Sequence, residues 1–362
     1  MHEKEVISTN QFIWMLFCII TSFTGLQVLR LLIFQARRDA WLSVVLAWFL
    51  DVLLAVVYAY MGIRFPGQNM VQYSITILGK KLGKVIGILF PIFFLLISAT
   101  LQRGLSMILS VVFFPKTSEI VFLIASYITI GYAAIKGIEV IGRVCEILGP
   151  IYLFSSIVLF LFLIPDIKID RLKPQFELGI YPALTGTPLI LSFIGICIIM
   201  GMYIPICNHP ENGFIAKFTA VSIGTFIIII FIISTIGIFS YPQAKNMLNA
   251  TLELTRFVHI GEFFTRVEAI WLMIFIGAAI MVSSNMIWAF SLGISQIIGL
   301  STYKPLIFPA ILLSFVISTT SFKNSLDLVN FGLYSYPFMA IFIQTGLEMF
   351  LFFMALILKK RG

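Results

Sequence analysis

The sequence predicts an all-α integral membrane protein with about ten transmembrane helices, arranged as a 5+5 inverted repeat in which helices 1 and 6 are interrupted. Three observations carry this. The 362 residues are 60% hydrophobic and only 11% charged, with 36 phenylalanines, whereas a water-soluble globule needs far more charge to cover its surface. Apolar stretches of about 20 residues, the length that crosses a bilayer, recur about ten times. Five fall in each half, and the first of each half holds a glycine near its middle, Gly25 and Gly195, as interrupted helices at midplane sites do.

The spans are expected at 10–34, 40–62, 85–113, 118–135 and 138–164, then at 183–207, 214–240, 265–298, 305–321 and 333–358. Residues 1–362 thus read as a single polytopic membrane domain, with a first repeat over about 10–164 and a second over about 183–358. The stretches 85–113 and 265–298 are longer than a bilayer requires, which implies tilt or extension beyond it. Met1–Thr9 is short; the apolar run after it exceeds a signal-peptide core and has no clear cleavage site, so it is expected to be retained.

An even number of spans puts both termini on one side. That side carries Lys4, Arg64, Lys80, Lys81, Lys84, Lys136, Arg143, Lys217, Lys304, Lys359, Lys360 and Arg361, against Arg37, Arg38, Lys116 and Lys323 in the opposite short loops. The excess places both termini in the cytoplasm. The net charge of +8 is explained in the same way, with no nucleic-acid partner implied. Cysteines 18, 145, 197 and 207 and histidines 2, 209 and 259 are scattered, which suggests neither a metal site nor a disulfide framework. No cofactor is expected. No HExxH, GxSxG or paired catalytic carboxylates at helical spacing occur, so an enzyme is not expected.

The first span is broken near mid-depth by Thr21-Ser22-Phe23-Thr24-Gly25-Leu26-Gln27. Lipid offers no partner for a freed backbone group, so such a break marks either a midplane binding site or a helix–helix contact of small residues with hydroxyls bonded back to their own helix. Each charge at membrane depth asks for a partner or a role. Asp51 lies about 11 residues from the outer end of its span, roughly 16 Å deep, and Arg103 about 10 residues, roughly 15 Å. Equal depth makes an Asp51–Arg103 pair possible, as a strut or as a gate. Glu139 and Arg143 have the i, i+4 spacing that supports a helix start; they form either a solvated helix end or part of an inner gate. Glu348 is near mid-depth with Gln344 one turn before it, as a proton-binding carboxyl or a neutral packing residue. Ser283, Ser284 and Asn285 on the eighth span are either interhelical hydrogen-bonders or a polar wall. Phe193 and Phe94 are candidate cavity aromatics. Arg256, Glu262, Arg266 and Glu268 alternate in sign beside a membrane entry, as a soluble loop or a docking surface.

Several stretches carry a resemblance. They are Ile7-Ser-Thr-Asn-Gln11, Asp39-Ala-Trp41-Leu-Ser43, Leu101-Gln-Arg103-Gly, Phe114-Pro115-Lys-Thr117, Ser192-Phe-Ile-Gly195, and above all the blocks Gly137–Glu146 and Arg256–Glu268. Together they resemble the B subunit of spore germinant receptors, the GerAB-type spore germination permease family of the amino acid–polyamine–organocation superfamily. The resemblance implies a LeuT/APC-like fold and a small germinant, an amino acid in first place, bound between spans one, three, six and eight. It implies Thr21, Ser22, Thr24, Gly25, Gln27, Phe193, Gly195, Cys197, Ser283 and Ser284 as ligand-site residues, with Asp51, Arg103, Glu139, Arg143 and Glu348 in ion pairs or gating. It further implies A-type and C-type receptor subunits as partners and the inner membrane of bacterial spores as location. The alternative is a secondary amino-acid transporter of the same superfamily. Two departures from the family pattern fall at the site. The first helix keeps one glycine and lacks a following proline, and the sixth reads Gly195-Ile196-Cys197 where the superfamily has a carboxylate.

Overall fold

A computed structural model describes residues 5–23, 28–247, 249–258 and 267–362, excepting the side chains of 267, 268 and 270. The first crossing is made of two pieces, α1 (Thr9–Phe23) and α2 (Leu29–Ala36). Each is too short to span alone. Thr24, Gly25 and Gln27 lie between them, outside the described residues. The second crossing, α3 (Ala40–Arg64), is continuous.

The long stretch expected at 85–113 is α5 (Leu89–Ile108), which continues as a π-helical turn Leu109–Phe113; before it runs an amphipathic helix, α4 (Met70–Gly87), that was not expected. Asn69 starts α4 with a capping box to Gln72, and Met70, Tyr73, Ser74 and Ile77 form its buried stripe at the three-to-four spacing of an amphipathic helix. Gly79 breaks it at φ 80°, a backbone angle glycine takes without steric cost. Lys80, Lys81 and Lys84 mask this helix from a search for apolar runs. Then α6 (Glu119–Lys136) and α7 (Ile138–Leu163) complete the first five crossings.

The sixth crossing changes character midway. The α8 helix (Tyr181–Ile194) gives way at Gly195 to a 3₁₀ stretch, Gly195–Ile199, before the short α9 (Met200–Tyr203). The chain continues through α10 (Gly213–Phe239), the short α11 (Tyr241–Ala244) and α12 (Ala250–Phe257), then α13 (Val267–Ile298) and α14 (Ile307–Thr320). Here the expectation of one long helix holds: α13 runs for 32 residues. The tenth crossing is segmented. Helices α15 (Ser325–Asn330), α16 (Tyr336–Ile341) and α17 (Glu348–Ile357) are joined by π-helical stretches Phe331–Ser335 and Phe342–Leu347.

The two interrupted crossings do not share one environment with the rest. In the most apolar part of Tyr181–Ile206, 89% of residues are buried, against 28% for Ile138–Asp166, so the sixth crossing is central and the fifth peripheral. Outward residues such as Phe154, Ile128 and Phe338 stay exposed, as a lipid-facing surface does. On the face of the termini, Ile7 N–H donates to Ile206 O at 3.0 Å and Arg64 Nε to Lys360 O at 2.8 Å. On the opposite face, Arg38 pairs with Glu177 at 2.8 Å. One residue counted as a terminal-side loop cation is misplaced by that reading: Lys217 lies inside α10, fully buried. The positive excess survives without it.

Candidate functional site

Phe23, the last residue of α1, and Val28, just before α2, line a partly open cavity of about 40 Å³, room for a few water-sized groups. Ile97 and Thr100 of α5, Phe193 of α8, and Phe331, Gly332 and Tyr336 of the tenth crossing complete most of its wall. The lining is almost wholly apolar and aromatic. Phe193 packs between Phe23 and Tyr336 with tilted rings, their centroids 5.7 and 4.7 Å away.

Beside this cavity the sixth crossing meets the tenth through hydrogen bonds. The Ser192 carbonyl, one turn before the helix changes pitch, accepts from Tyr336 Oη at 3.0 Å and from Gln344 Nε2 at 3.0 Å. Gly195 makes the approach possible, because a Cβ there would sit 2.3 Å from Gln344 Oε1. The π-helical turns on either side of α16 change the residue count per turn, so Tyr336 and Gln344 both reach this carbonyl. Tyr58 of α3 then donates to the Gln344 carbonyl at 2.8 Å. Π-helical turns cluster at functional sites, and the sequence reading had not placed the tenth crossing in the cavity wall. Gly332, which leaves room for Leu31, was the available signal.

The residues expected at the site scatter. Phe193 lines the cavity, and Gly195 adjoins it through Gln344. Thr21 and Ser22 bond back to carbonyls of α1, at 3.0 Å to Phe17 O and 2.7 Å to Cys18 O, which is the helix-contact alternative. Cys197 is buried against the Leu16 carbonyl at 3.9 Å. Ser283 accepts from Gln102 Nε2 at 2.7 Å, and Ser284 bonds back to Ile280 O at 2.8 Å. Asn285 donates to Tyr203 Oη. The eighth crossing therefore turns Ser283 and Asn285 to neighbouring helices and Ser284 to its own backbone, and the cavity lies between crossings one, three, six and ten.

The Asp51–Arg103 pair does not form. Lys217 Nζ sits 2.9 Å from Asp51 Oδ1, with side chains 0% and 1% exposed, and also 4.3 Å over the Tyr58 ring. Arg103 instead engages Glu119 Oε2 at 2.5 Å and Phe322 O at 2.8 Å, at the outer ends of neighbouring crossings. Similar depth is one coordinate only; α3 packs against α8 and α10, while α5 packs against α13 and α14. Glu348 Oε1 accepts from Tyr73 Oη of α4 at 2.6 Å, and its other oxygen has no partner among the described residues. Asp51 Oδ2 is in the same position.

At the terminal face, Glu139 faces Arg143 at 3.7 Å and accepts the Val6 N–H at 2.9 Å. Glu5 receives Tyr303 Oη at 2.6 Å and Trp288 Nε1 at 3.3 Å. Burial, aided by the Glu5 carboxylate, holds the Tyr303 hydroxyl above its ordinary pKa, so it stays a donor. Of the alternating charges expected before the eighth crossing, Arg256 meets Glu253 at 3.5 Å. Glu262 and Arg266 lie outside the described residues, as does the Glu268 side chain.

Comparison with known proteins places this geometry. The sequence profile of the family described as "Spore germination protein" matches residues 6–326. Spore germination protein KB of Bacillus subtilis (strain 168) is 26% identical over 334 residues, 90% of this chain and 89% of that protein. Spore germination protein YndE of the same organism is 28% identical over 261 residues, 72% of each. Among solved structures, a nucleobase-cation-symport-1 family transporter in a closed conformation with bromovinylhydantoin bound superposes with a TM-score of 0.66 at 12% identity, covering 94% of this chain and 79% of that one. A Na⁺-coupled sialic acid symporter in a substrate-bound outward-open state gives 0.68 at 12% identity, covering 97% and 82%. The fold is that of these transporters, the LeuT/APC-like 5+5 inverted repeat.

Proposed function

The chain belongs to the spore germination protein family, and from that premise we propose that it is the membrane subunit of a spore germinant receptor whose ligand is an amino acid, bound in the cavity at the first-helix break. The observation that supports this is that Tyr336, a residue of the cavity wall, donates to the Ser192 carbonyl, which Gln344 also holds. A small apolar side chain suits the aromatic wall. The ligand's ammonium would take the place of one of the two donors on Ser192 O. Displacing Gln344 shifts the tenth crossing, because Tyr58 holds the same residue from α3. A ligand moves such an equilibrium only by its differential affinity for the two states.

In this reading both termini are cytoplasmic, the membrane is the inner membrane of the spore, and the movement passes to A-type and C-type subunits. The test is radiolabelled amino-acid binding and flux in liposomes holding this chain. Saturable binding without uptake is expected, and its loss in Gly332→Leu, whose side chain fills the cavity. Gradient-driven uptake would favour secondary amino-acid transport. Normal binding in a folded Gly332→Leu protein would move the ligand elsewhere.

A further inference from the structure

A second cavity, of about 680 Å³, opens on the face opposite the termini, between the outer ends of the third, fourth and ninth crossings. Its volume is that of a small-molecule site. Its polar lining is Arg103, Glu119, Ser110, Thr117, Ser118 and Thr319. Arg103 is only 7% exposed; its two terminal nitrogens hold Glu119 and Phe322, and its Nε has no acceptor among the described residues. Glu119 is about a third exposed, and beyond Arg103 its carboxylate has one long contact, 3.5 Å from Ser110 Oγ. Helix α6 begins here, and its N-cap residue Ser118 makes no side-chain capping bond. The positive end of a helix dipole and orphan N–H groups therefore face the same lining.

Donors with spare capacity beside an incompletely paired carboxylate match a ligand that carries an anion and an ammonium together. We propose that this outer cavity is a binding site for a small zwitterion, its anionic oxygens on the Arg103 and α6 side and its ammonium at Glu119. A free amino acid and the headgroup of phosphatidylethanolamine share that chemistry. The site is distinct from the midplane cavity but mechanically joined to it. Thr100, one turn below Arg103 on α5, lines the midplane cavity, as does Phe331, which packs on Phe322 at 5.2 Å. An occupant that draws on Arg103 loosens its hold on Phe322 and thereby the roof of the inner cavity.

Accessibility of a cysteine at the lining tests the site. The four native cysteines are buried, so Thr117→Cys gives one reactive thiol for a membrane-impermeant maleimide. In nanodiscs of phosphatidylglycerol, millimolar L-alanine is expected to slow labelling several-fold, with acetate or methylamine each doing less. Glu119→Gln, which keeps an acceptor for Arg103, should remove most of the protection. Gly332→Leu should leave most of it in place, because its side chain fills the inner cavity and touches none of the outer lining. Protection only in nanodiscs containing phosphatidylethanolamine assigns the same site to the lipid headgroup. No protection by either source, or its loss in Gly332→Leu, overturns the proposal. The readout needs neither partner subunits nor germination, so its failure leaves the midplane reading untouched.

Discussion

Replacing Lys217 by Met is expected to be among the most damaging single changes in the membrane domain, and adding Asp51→Leu should repair most of the damage. The ammonium and carboxylate are 2.9 Å apart and 0% and 1% exposed. At an effective dielectric near 20, their attraction is about 6 kcal/mol, most of it offset by the cost of removing both charges from water. Removing one partner cancels that balance. Asp51 Oδ2 has no partner among the described residues, so Lys217→Met leaves a carboxylate with neither oxygen bonded to them in a dry interior, a change that costs about 3–5 kcal/mol. The double apolar variant leaves no charge and should lie within about 1–2 kcal/mol of the parent, since well-packed apolar replacements of buried pairs are often neutral. Equilibrium unfolding in mixed micelles measures the four corners of the cycle. A coupling energy below about 1 kcal/mol, with additive single losses, would refute the assignment of Asp51 to Lys217.

Three further outcomes are expected. Gly195→Ala puts a Cβ where Gln344 Oε1 now lies; the amide must swing away, giving up its bond to Ser192 at about 0.5–1.5 kcal/mol, and in a Gln344→Ala background the same change should cost little, as unfolding measurements can check. Tyr73→Phe strips Glu348 of its one hydrogen bond among the described residues at about 1–3 kcal/mol, and Glu348→Gln in that background should recover part of the loss; a Tyr73→Phe protein as stable as its parent would contradict this. Because the Tyr303 pKa is raised in the folded protein, the proton is held more tightly there than in the unfolded chain, so this stability is complete below its ordinary value of 10.0 and falls as pH rises above it. Hydrogen exchange at Val6 and Ile7 should accelerate in that alkaline range, and Tyr303→Phe should flatten that part of the dependence.

Some of the site was legible in residue type alone. Gly195 was expected from the interrupted-helix pattern and lies at the cavity's hydrogen-bonded flank; of the two candidate cavity aromatics, Phe193 lines the cavity and Phe94 does not. The places of Ser283 and Ser284 were not legible, because a hydroxyl in an apolar helix serves a cavity or a neighbouring backbone equally well, and here Gln102 and Ile280 take them. Tyr336 and Gln344 escaped because their common target depends on two π-helical turns, a deviation with no composition of its own. Tyr73 escaped because α4 interleaves three lysines with its buried stripe.

The crossings themselves were determined by the sequence. Lipid offers no hydrogen-bond partners, so each crossing must close its own backbone bonds in a helix, and a run of apolar side chains long enough for this is a local property that needs no knowledge of neighbours. A charge set inside an apolar run is local in the same way, and Asp51 and Arg103 are both buried, although Arg103 meets Glu119 at the outer start of α6. Lateral adjacency is not. Which helix lies beside α3 or α5 follows from packing the whole bundle, and only that packing gave Asp51 to Lys217, Arg103 to Glu119 and the cavity wall to the tenth crossing.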